Sequence, residues 1–302
     1  MRAIRDSTAR AYGSAWRKFC GWCEGTGGLA PLPADDHTLA EFIKDAQEDG
    51  ATLQTQRLYI VAIKRAHAEA GHPSPAGLLT DIQLSKAQAG ARRKIQPITL
   101  AQLEKLTDLQ PASMKEARDL ALLSLAFCAG LTTHEAQTLT HQKIKFSELG
   151  IVYRPEHIPS AYRVSNSPCY IPAASQIGSA AISSLRAWLN IKSGAGAIFT
   201  RIDRHGNEHR GPLSGQGLRD IVRTRFKRAG LAGPSYTFGS LRKGLAQALQ
   251  SAGVERHAMR SHLRLHDDRG LVPPRGTDCG FTDSPLSIIS PLATKKPHKI
   301  TP

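Results

Sequence analysis

The sequence of 302 residues predicts a mainly α-helical protein with a small antiparallel sheet. Over most of the chain, apolar residues recur at spacings of three and four, which is the repeat of one face of an α-helix. The pattern changes between residues 144 and 172, where the short runs I-V-Y (151–153) and C-Y-I (169–171) are typical of paired strands. The length also suffices for two domains, each with a core of its own.

Three amphipathic helices are predicted in the N-terminal part of the chain. The first spans residues 6–24, the second spans residues 36–49 and ends at Gly50, and the third runs from about residue 52 to residue 70. A basic side lies opposite the apolar side of the third helix and consists of Arg57, Lys64 and Arg65. Charges at this spacing usually form a solvated helix face, and a nucleic-acid-binding face is the alternative interpretation.

A change of composition marks a linker and a second helical region. Residues 72–97 are rich in Pro, Gly, Ala and Gln and contain the basic run Arg92-Arg93-Lys94, so we place an interdomain linker here. Helices resume after a Thr99 cap and include a strongly apolar helix at residues 117–129. Later helices are predicted at residues 176–191, 214–229 and 240–252. Six prolines fall within residues 267–302, so we expect a disordered tail.

The charge of the chain predicts a polyanionic partner. The formal net charge is +15, and residues 201–302 contain 18 Lys and Arg but only 8 Asp and Glu. Nucleic acid is the commonest partner for such an excess. Binding to an acidic membrane surface would need a basic amphipathic helix or a lipid anchor, and neither is evident. We find no signal peptide and no apolar run near the roughly 18–20 residues of a membrane span, so we expect a cytoplasmic protein.

The cysteines do not indicate a metal site or a disulfide framework. Cys20 and Cys23 form a single CxxC motif inside a predicted helix, and no second pair completes a zinc site. We therefore expect reduced thiols, no metal and no other cofactor.

Five ordered segments of the chain resemble the tyrosine recombinases, or phage integrases. The first segment has the pattern A-Y-x-x-x-W-x-x-F-x-x-W-C at residues 11–23. The others are the stretches 31–75, 97–131, 197–231 and 240–254. The resemblance covers about residues 6–265 and is most specific in its N-terminal part.

The resemblance implies two domains and double-stranded DNA as the partner, together with other recombinase protomers on the DNA. The first implied domain, at residues 1–85, is a SAM-like, four-helix core-binding domain that binds DNA, and a basic linker follows at 86–96. The second, at residues 97–266, is an integrase catalytic-type domain, which is mixed but mostly helical and has a small antiparallel sheet. The disordered Pro-rich tail occupies residues 267–302.

The family's active site cleaves DNA with a tyrosine nucleophile, two arginines, a hairpin lysine and one or two histidines. The cations stabilise the charge that develops on the phosphate, and the histidines transfer protons. The first arginine belongs in the motif G-L-R-x-x-E, which reads G-L-T-T-H-E at residues 130–135. Glu135 is kept, but Thr132 takes the arginine's place and cannot offer a charged, two-pronged donor. The second arginine belongs in H-x-L-R, where Arg242 is kept and Gly239 takes the histidine's place.

The remaining family positions are altered as well. The hairpin lysine should fall within residues 155–165, which contain no lysine. Its stand-ins are His157 and Arg163. The position of the later histidine or tryptophan is flanked by His262 and His266. The nucleophile should lie near residues 271–275, but no tyrosine follows Tyr236 in the sequence.

The sequence thus predicts a DNA-binding protein of the integrase family that is catalytically inactive and descends from a mobile element. The vestigial active site would consist of Arg242, His262, His266 and Glu135. The expected DNA contacts are Arg57, Lys64 and Arg65, because the third helix of the family enters a DNA groove, and the linker residues Arg92, Arg93 and Lys94. Two alternatives stay open. One is an active recombinase whose nucleophile is Ser261 or a partner's tyrosine, and the other is a basic helical scaffold without DNA activity.

Overall fold

The computed structural model describes residues 6–75, 95–108, 110–155, 167–231, 236–265 and 279–289. The predicted fold class is confirmed, because the described residues are mainly helical with small antiparallel sheets. The chain divides into two compact units, Met1–Arg93 and Lys94–Pro302, and this division falls inside the predicted linker. The candidate site residues outside the described ranges are Arg92, Arg93, Lys94, His157, Arg163 and His266.

Three helices make up the described part of the first unit. They are α1 (Asp6–Gly25), α2 (Asp36–Glu48) and α3 (Leu53–Glu69), and their bounds lie within one residue of the predicted ones. Asp35 caps α2 and Thr52 caps α3, each through a side-chain oxygen that accepts a backbone N–H. The fourth helix of the predicted bundle would fall within residues 76–85, which lie outside the described ranges.

Aromatic side chains form the core of the first unit. The ring of Phe42 packs edge-on against that of Phe19 at a centroid distance of 5.0 Å and lies 5.3 Å from the ring of Tyr59. This contact joins all three helices. His67 is fully buried on α3, and its Nε2 accepts the N–H of Ala34 at 2.9 Å, which holds the loop between α1 and α2 against α3.

The second unit contains further helices, a three-stranded sheet and a two-stranded hairpin. In chain order its elements are α4 (Leu100–Thr107), α5 (Met114–Cys128), α6 (Thr133–Gln137), β1 (Ile144–Ser147), β2 (Gly150–Tyr153), β3 (Cys169–Pro172), α7 (Gln176–Ile191), β4 (Thr200–Ile202), β5 (Glu208–Pro212), α8 (Gly215–Arg228), α9 (Gly239–Ser251), α10 (Arg256–Leu263), α11 (Cys279–Thr282) and α12 (Leu286–Ile289).

Helix α5 is the centre of the second unit, as its apolar sequence predicts. Every residue from 121 to 128 is buried, so the helix is surrounded on all sides. Helix α7 packs against it, and the thiol of Cys128 donates to the carbonyl oxygen of Ile177 at 3.4 Å. Trp188 of α7 is also fully buried and donates its Nε1–H to the carbonyl of Ile198 at 2.9 Å.

The main sheet has one strand more than the predicted pair. Strands β2 and β3 are the predicted pair, and β1 adds to β2 with Ile144 opposite Tyr153. All three strands are antiparallel and lie in the order β1-β2-β3. In β1 the exposed Lys145 and Ser147 alternate with Ile144 and Phe146, so the strand lacks the continuous apolar run that marked its neighbours.

The expectation of a disordered tail is wrong for residues 279–289. These residues form α11 and α12, in which Phe281 and Leu286 are buried. The ring of Phe281 packs edge-on against Tyr170 at 5.2 Å, and Ser284 Oγ donates to the Tyr170 carbonyl at 2.8 Å. Single apolar residues among Pro, Ser and Gly leave no helical repeat in the sequence, yet Phe281 packs on the sheet and Leu286 joins the main core of the unit.

The first described residues of the second unit cross helix α9 at close range. A Cβ atom on Gly244 would lie 2.1 Å from the carbonyl oxygen of Ile98, so only glycine allows this approach. The N–H of Ile98 donates to the Ser240 carbonyl at 3.2 Å, and Lys243 Nζ donates to the Ile95 carbonyl at 2.7 Å. The segment 95–98 is therefore fixed to α9.

Candidate functional site

On the basic side of α3, one of the three predicted DNA contacts is paired within the unit. Arg65 donates from Nε to the Glu69 carboxylate at 2.6 Å, and its guanidinium lies 5.9 Å from the centre of the Tyr12 ring. Its charge is thus balanced within the unit. Arg57 is exposed and Lys64 is half-exposed, and within the described part of the chain neither side chain pairs with a carboxylate. These two cations, seven residues apart on one side of α3, are available to a polyanion.

In the second unit, Thr132 acts as a helix cap. Its Oγ1 accepts the N–H of Glu135 at 3.2 Å, and the Glu135 carboxylate accepts the N–H of Thr132 at 2.7 Å. This reciprocal pair is a capping box that starts α6. The residue at the place of the first arginine therefore has a local structural role.

A buried arginine that the sequence analysis did not single out occupies the same region. Arg264 follows α10 and has no exposed side-chain surface. Its Nε donates to Glu135 Oε1 at 2.6 Å, and its Nη2 donates to the carbonyls of Ala129 at 2.8 Å and Gly130 at 3.1 Å. Its Nη1 donates to the carbonyl of His262 at 2.9 Å. Arg264 thus joins the ends of α5 and α10 to the start of α6.

Arg264 and Glu135 are both charged. Burial alone would raise the pKa of Glu135, but the guanidinium of Arg264 and the hydrogen bonds from Arg264 and Thr132 lower it overall. Burial alone would likewise lower the pKa of Arg264, but the Glu135 carboxylate, its hydrogen bond with Arg264 and the nearby Cys169 and Tyr153 together raise it. Removing one partner of such a buried pair strongly destabilises the folded protein, because the other charge then stays buried without a partner.

Arg242 on α9 lies beside this pair. It donates from Nη1 to the Gly130 carbonyl at 2.5 Å and from Nη2 to the Leu263 carbonyl. Burial, and then the nearby charge of Arg264, lower the pKa of Arg242 to about 10, so it remains protonated at neutral pH. Arg242 and Arg264 share one carbonyl oxygen and face one carboxylate, which leaves an excess positive charge at this place.

Gly239, which the resemblance places at the histidine position, has room where a side chain would begin. A Cβ atom on Gly239 would meet Thr237 Oγ1 at 3.6 Å and Ile95 Cδ1 at 3.8 Å, which are ordinary contacts. The structure therefore gives no reason for glycine at this place.

His262 faces the protein interior. It is buried, and its Nε2 lies 2.8 Å from the carbonyl oxygen of Cys128 and 3.6 Å from Cys169 Sγ. Burial, together with the charges of Arg264 and Arg242, lowers the pKa of His262 to about 4. The imidazole is neutral at neutral pH and has no access to an external phosphate.

Tyr153 belongs to the same buried cluster. Its ring lies 5.2 Å below the guanidinium carbon of Arg264, and only 2% of its surface is exposed. Burial, followed by the charge of Glu135, raises the pKa of its hydroxyl. A buried phenol does not reach a DNA phosphate outside the protein, and its raised pKa keeps it in the weakly nucleophilic protonated form.

The described residues offer no metal site, and none of their helices is long and apolar enough to cross a membrane. The CxxC pair consists of free thiols, with Cys23 buried and Cys20 half-buried. Burial is the main cause of a raised pKa in both, which makes them poor nucleophiles and poor metal ligands.

The fold described above is that of the site-specific recombinases and integrases. The chain is similar to XerH recombinase in a post-cleavage complex with a palindromic difH substrate, with 18% identity, a TM-score of 0.59, and coverage of 84% of this chain and 72% of that one. It is also similar to Tn1549 transposon integrase in complex with circular intermediate DNA, with 13% identity, a TM-score of 0.60, and coverage of 93% and 90%.

A third structure of the same fold is a lambda integrase dimer bound to a core site. It has 18% identity and a TM-score of 0.58, and the match covers 89% of this chain and 71% of that one. No protein-family model and no curated protein sequence matches the chain.

The lowered pKa of His262 predicts a pH-dependent stability. Between pH 6.5 and about 4 the unfolded state binds a proton that the folded state does not, so stability falls as the pH falls through this range. The loss amounts to about 3 kcal/mol at most. We expect His262→Gln to remove this part of the pH slope, as measured by urea unfolding at several pH values. The exposed His134→Gln is the control, and equal slopes in wild type and His262→Gln would contradict the prediction.

The buried pair predicts strong coupling between Arg264 and Glu135. Arg264→Met leaves a buried carboxylate without its partner and should lower the free energy of unfolding by about 3–5 kcal/mol. The double variant Arg264→Met/Glu135→Gln should be more stable than the single one, because no charge stays unpaired. Urea unfolding of the four proteins measures the coupling, with the exposed Arg256→Met as control. Additive effects would show that the pair is not coupled.

Proposed function

We propose that the protein binds duplex DNA and does not cleave it. The observation that carries the proposal is the fold, which the chain shares with recombinases and integrases whose structures contain DNA. The net charge of +15 supports it, because each contact between a cation and a phosphate releases condensed counterions. The two uncompensated cations of α3, Arg57 and Lys64, are the first candidates for such contacts.

The arrangement around Arg264 supports the absence of cleavage. Thr132 caps a helix, His262 faces the core, and the hydrogen bonds of Arg242 are directed to backbone carbonyls. No tyrosine follows Tyr236 in the sequence, so an identical partner protomer would not supply one from that region either. Groups that act together in phosphoryl transfer lose most of the rate when one of them is removed.

DNA binding is tested by the salt dependence of affinity. The double variant Arg57→Ala/Lys64→Ala should lower the slope of log affinity against log salt by about 2, since each phosphate contact contributes roughly 0.9. Arg65→Ala is the matched comparison and should change the slope less, because Arg65 is already paired with Glu69. Fluorescence anisotropy with a random-sequence duplex measures both. If the wild-type protein binds no duplex at low salt, the proposal is wrong.

The absence of cleavage is tested by trapping a covalent intermediate. A nicked duplex with a sequence selected by the protein from a random pool is incubated with the protein and analysed by denaturing electrophoresis. We expect no covalent protein–DNA adduct, whereas an active recombinase on its own nicked site gives one. An adduct here would overturn inactivity but not DNA binding, and its loss in Ser261→Ala would identify the substitute nucleophile.

A further inference from the structure

The β4–β5 hairpin, residues 200–212, carries exposed positive charge. We call it the basic hairpin. Its exposed basic residues are Arg201, Arg204, His205 and Arg210, and His209 is half-exposed. The hairpin contains two carboxylates, Asp203 and Glu208. Whether these two side chains pair with the arginines determines how much positive charge the hairpin exposes to solvent.

The first carboxylate holds the turn of the hairpin. Asp203 Oδ1 accepts the N–H of His205 at 2.8 Å and the N–H of Asn207 at 3.0 Å, and Oδ2 lies 3.3 Å from His209 Nε2. The backbone hydrogen bond from Asn207 is the main reason why the pKa of Asp203 is well below its usual range. Asp203 therefore stabilises the turn through backbone hydrogen bonds and forms no ion pair with the arginines of the hairpin.

The second carboxylate points into the unit. Glu208 Oε1 lies 3.0 Å from Lys192 Nζ and accepts the hydroxyl of Thr200 at 2.9 Å, and Oε2 accepts the N–H of Ser193 at 3.0 Å. Burial alone would raise the pKa of Glu208, but these hydrogen bonds lower it to about 2. Glu208 thus fixes the base of the hairpin to the loop after α7.

The arginines of the hairpin are left without counter-charges. Arg201 lies between Thr200 and Ile202 on β4, and Arg210 lies between their partners Glu208 and Pro212 on β5, where the register of the two strands shifts. Among the described residues no carboxylate forms an ion pair with Arg201, Arg204 or Arg210. A polyanion that binds here therefore meets guanidinium groups whose charge no carboxylate of the hairpin pairs with.

We propose that the basic hairpin binds the sugar–phosphate backbone of duplex DNA, at phosphates other than those contacted by α3. The inference rests on the proposed DNA binding and extends it to a second surface. Guanidinium groups match phosphate oxygens with two parallel hydrogen bonds, and three of them lie on one short hairpin. Phosphate contacts position a protein without reading the base sequence, so the basic hairpin adds affinity and no sequence preference.

The test uses the variant Arg201→Gln/Arg204→Gln/Arg210→Gln. This variant retains Asp203 and Glu208, so the hydrogen bonds that hold the turn and the base of the hairpin are unchanged. The slope of log affinity against log salt should fall by about 2–3, equally for every duplex sequence, since each phosphate contributes roughly 0.9. The matched control is Lys115→Gln/Lys145→Gln/Arg256→Gln, which removes the same charge from exposed residues of the same unit. Urea unfolding of both variants confirms that they remain folded.

The outcomes separate this inference from the proposed function. If the wild-type protein binds no duplex, the proposed function fails. If it binds, but the hairpin variant behaves like wild type, or like the control, the inference about the hairpin is overturned and DNA binding stands. Ethylation interference should show that the hairpin variant and Arg57→Ala/Lys64→Ala lose different phosphates. Loss of the same phosphates in both would refute a second surface.

Discussion

The buried guanidinium of Arg264 is the interaction on which the second unit depends. It connects the end of α5, the start of α6 and the end of α10, and it lies over the ring of Tyr153 in β2. The Glu135 carboxylate compensates the charge, and backbone carbonyls take up the remaining donors. Arg264 also adopts a left-handed backbone conformation with a φ of 54°, which costs about 1–3 kcal/mol in a non-glycine residue and persists because these contacts determine it.

The proposed function separates two properties that a recombinase active site combines. A recombinase needs cations to hold a phosphate and further groups to break it. Here one arginine of the cluster, Arg264, is committed to the fold, while Arg57, Lys64 and the arginines of the basic hairpin lie on the surface. Under the proposed function, DNA binding depends on scattered exposed cations, which tolerate loss one at a time, whereas cleavage requires a few groups acting together.

The sequence predicts the helices well, because their apolar repeats and caps are local signals. The bounds of α7 agree with those predicted, and Thr99 caps α4 as expected. Features that depend on distant partners were missed. Arg264 gives no sign of burial in the stretch R-S-H-L-R-L-H, because its partner Glu135 lies 129 residues away. For the same reason Phe281 was assigned to a disordered tail, although Tyr170 provides a surface for its ring.

The close contact of Gly244 with Ile98 has a mechanical consequence. The chain that leaves the linker is fixed first to α9, through Ile98, Ser240 and Lys243, before it forms any helix of its own. Helix α9 also carries Arg242, so a displacement of the segment 95–98 acts directly on the helix that bears this arginine.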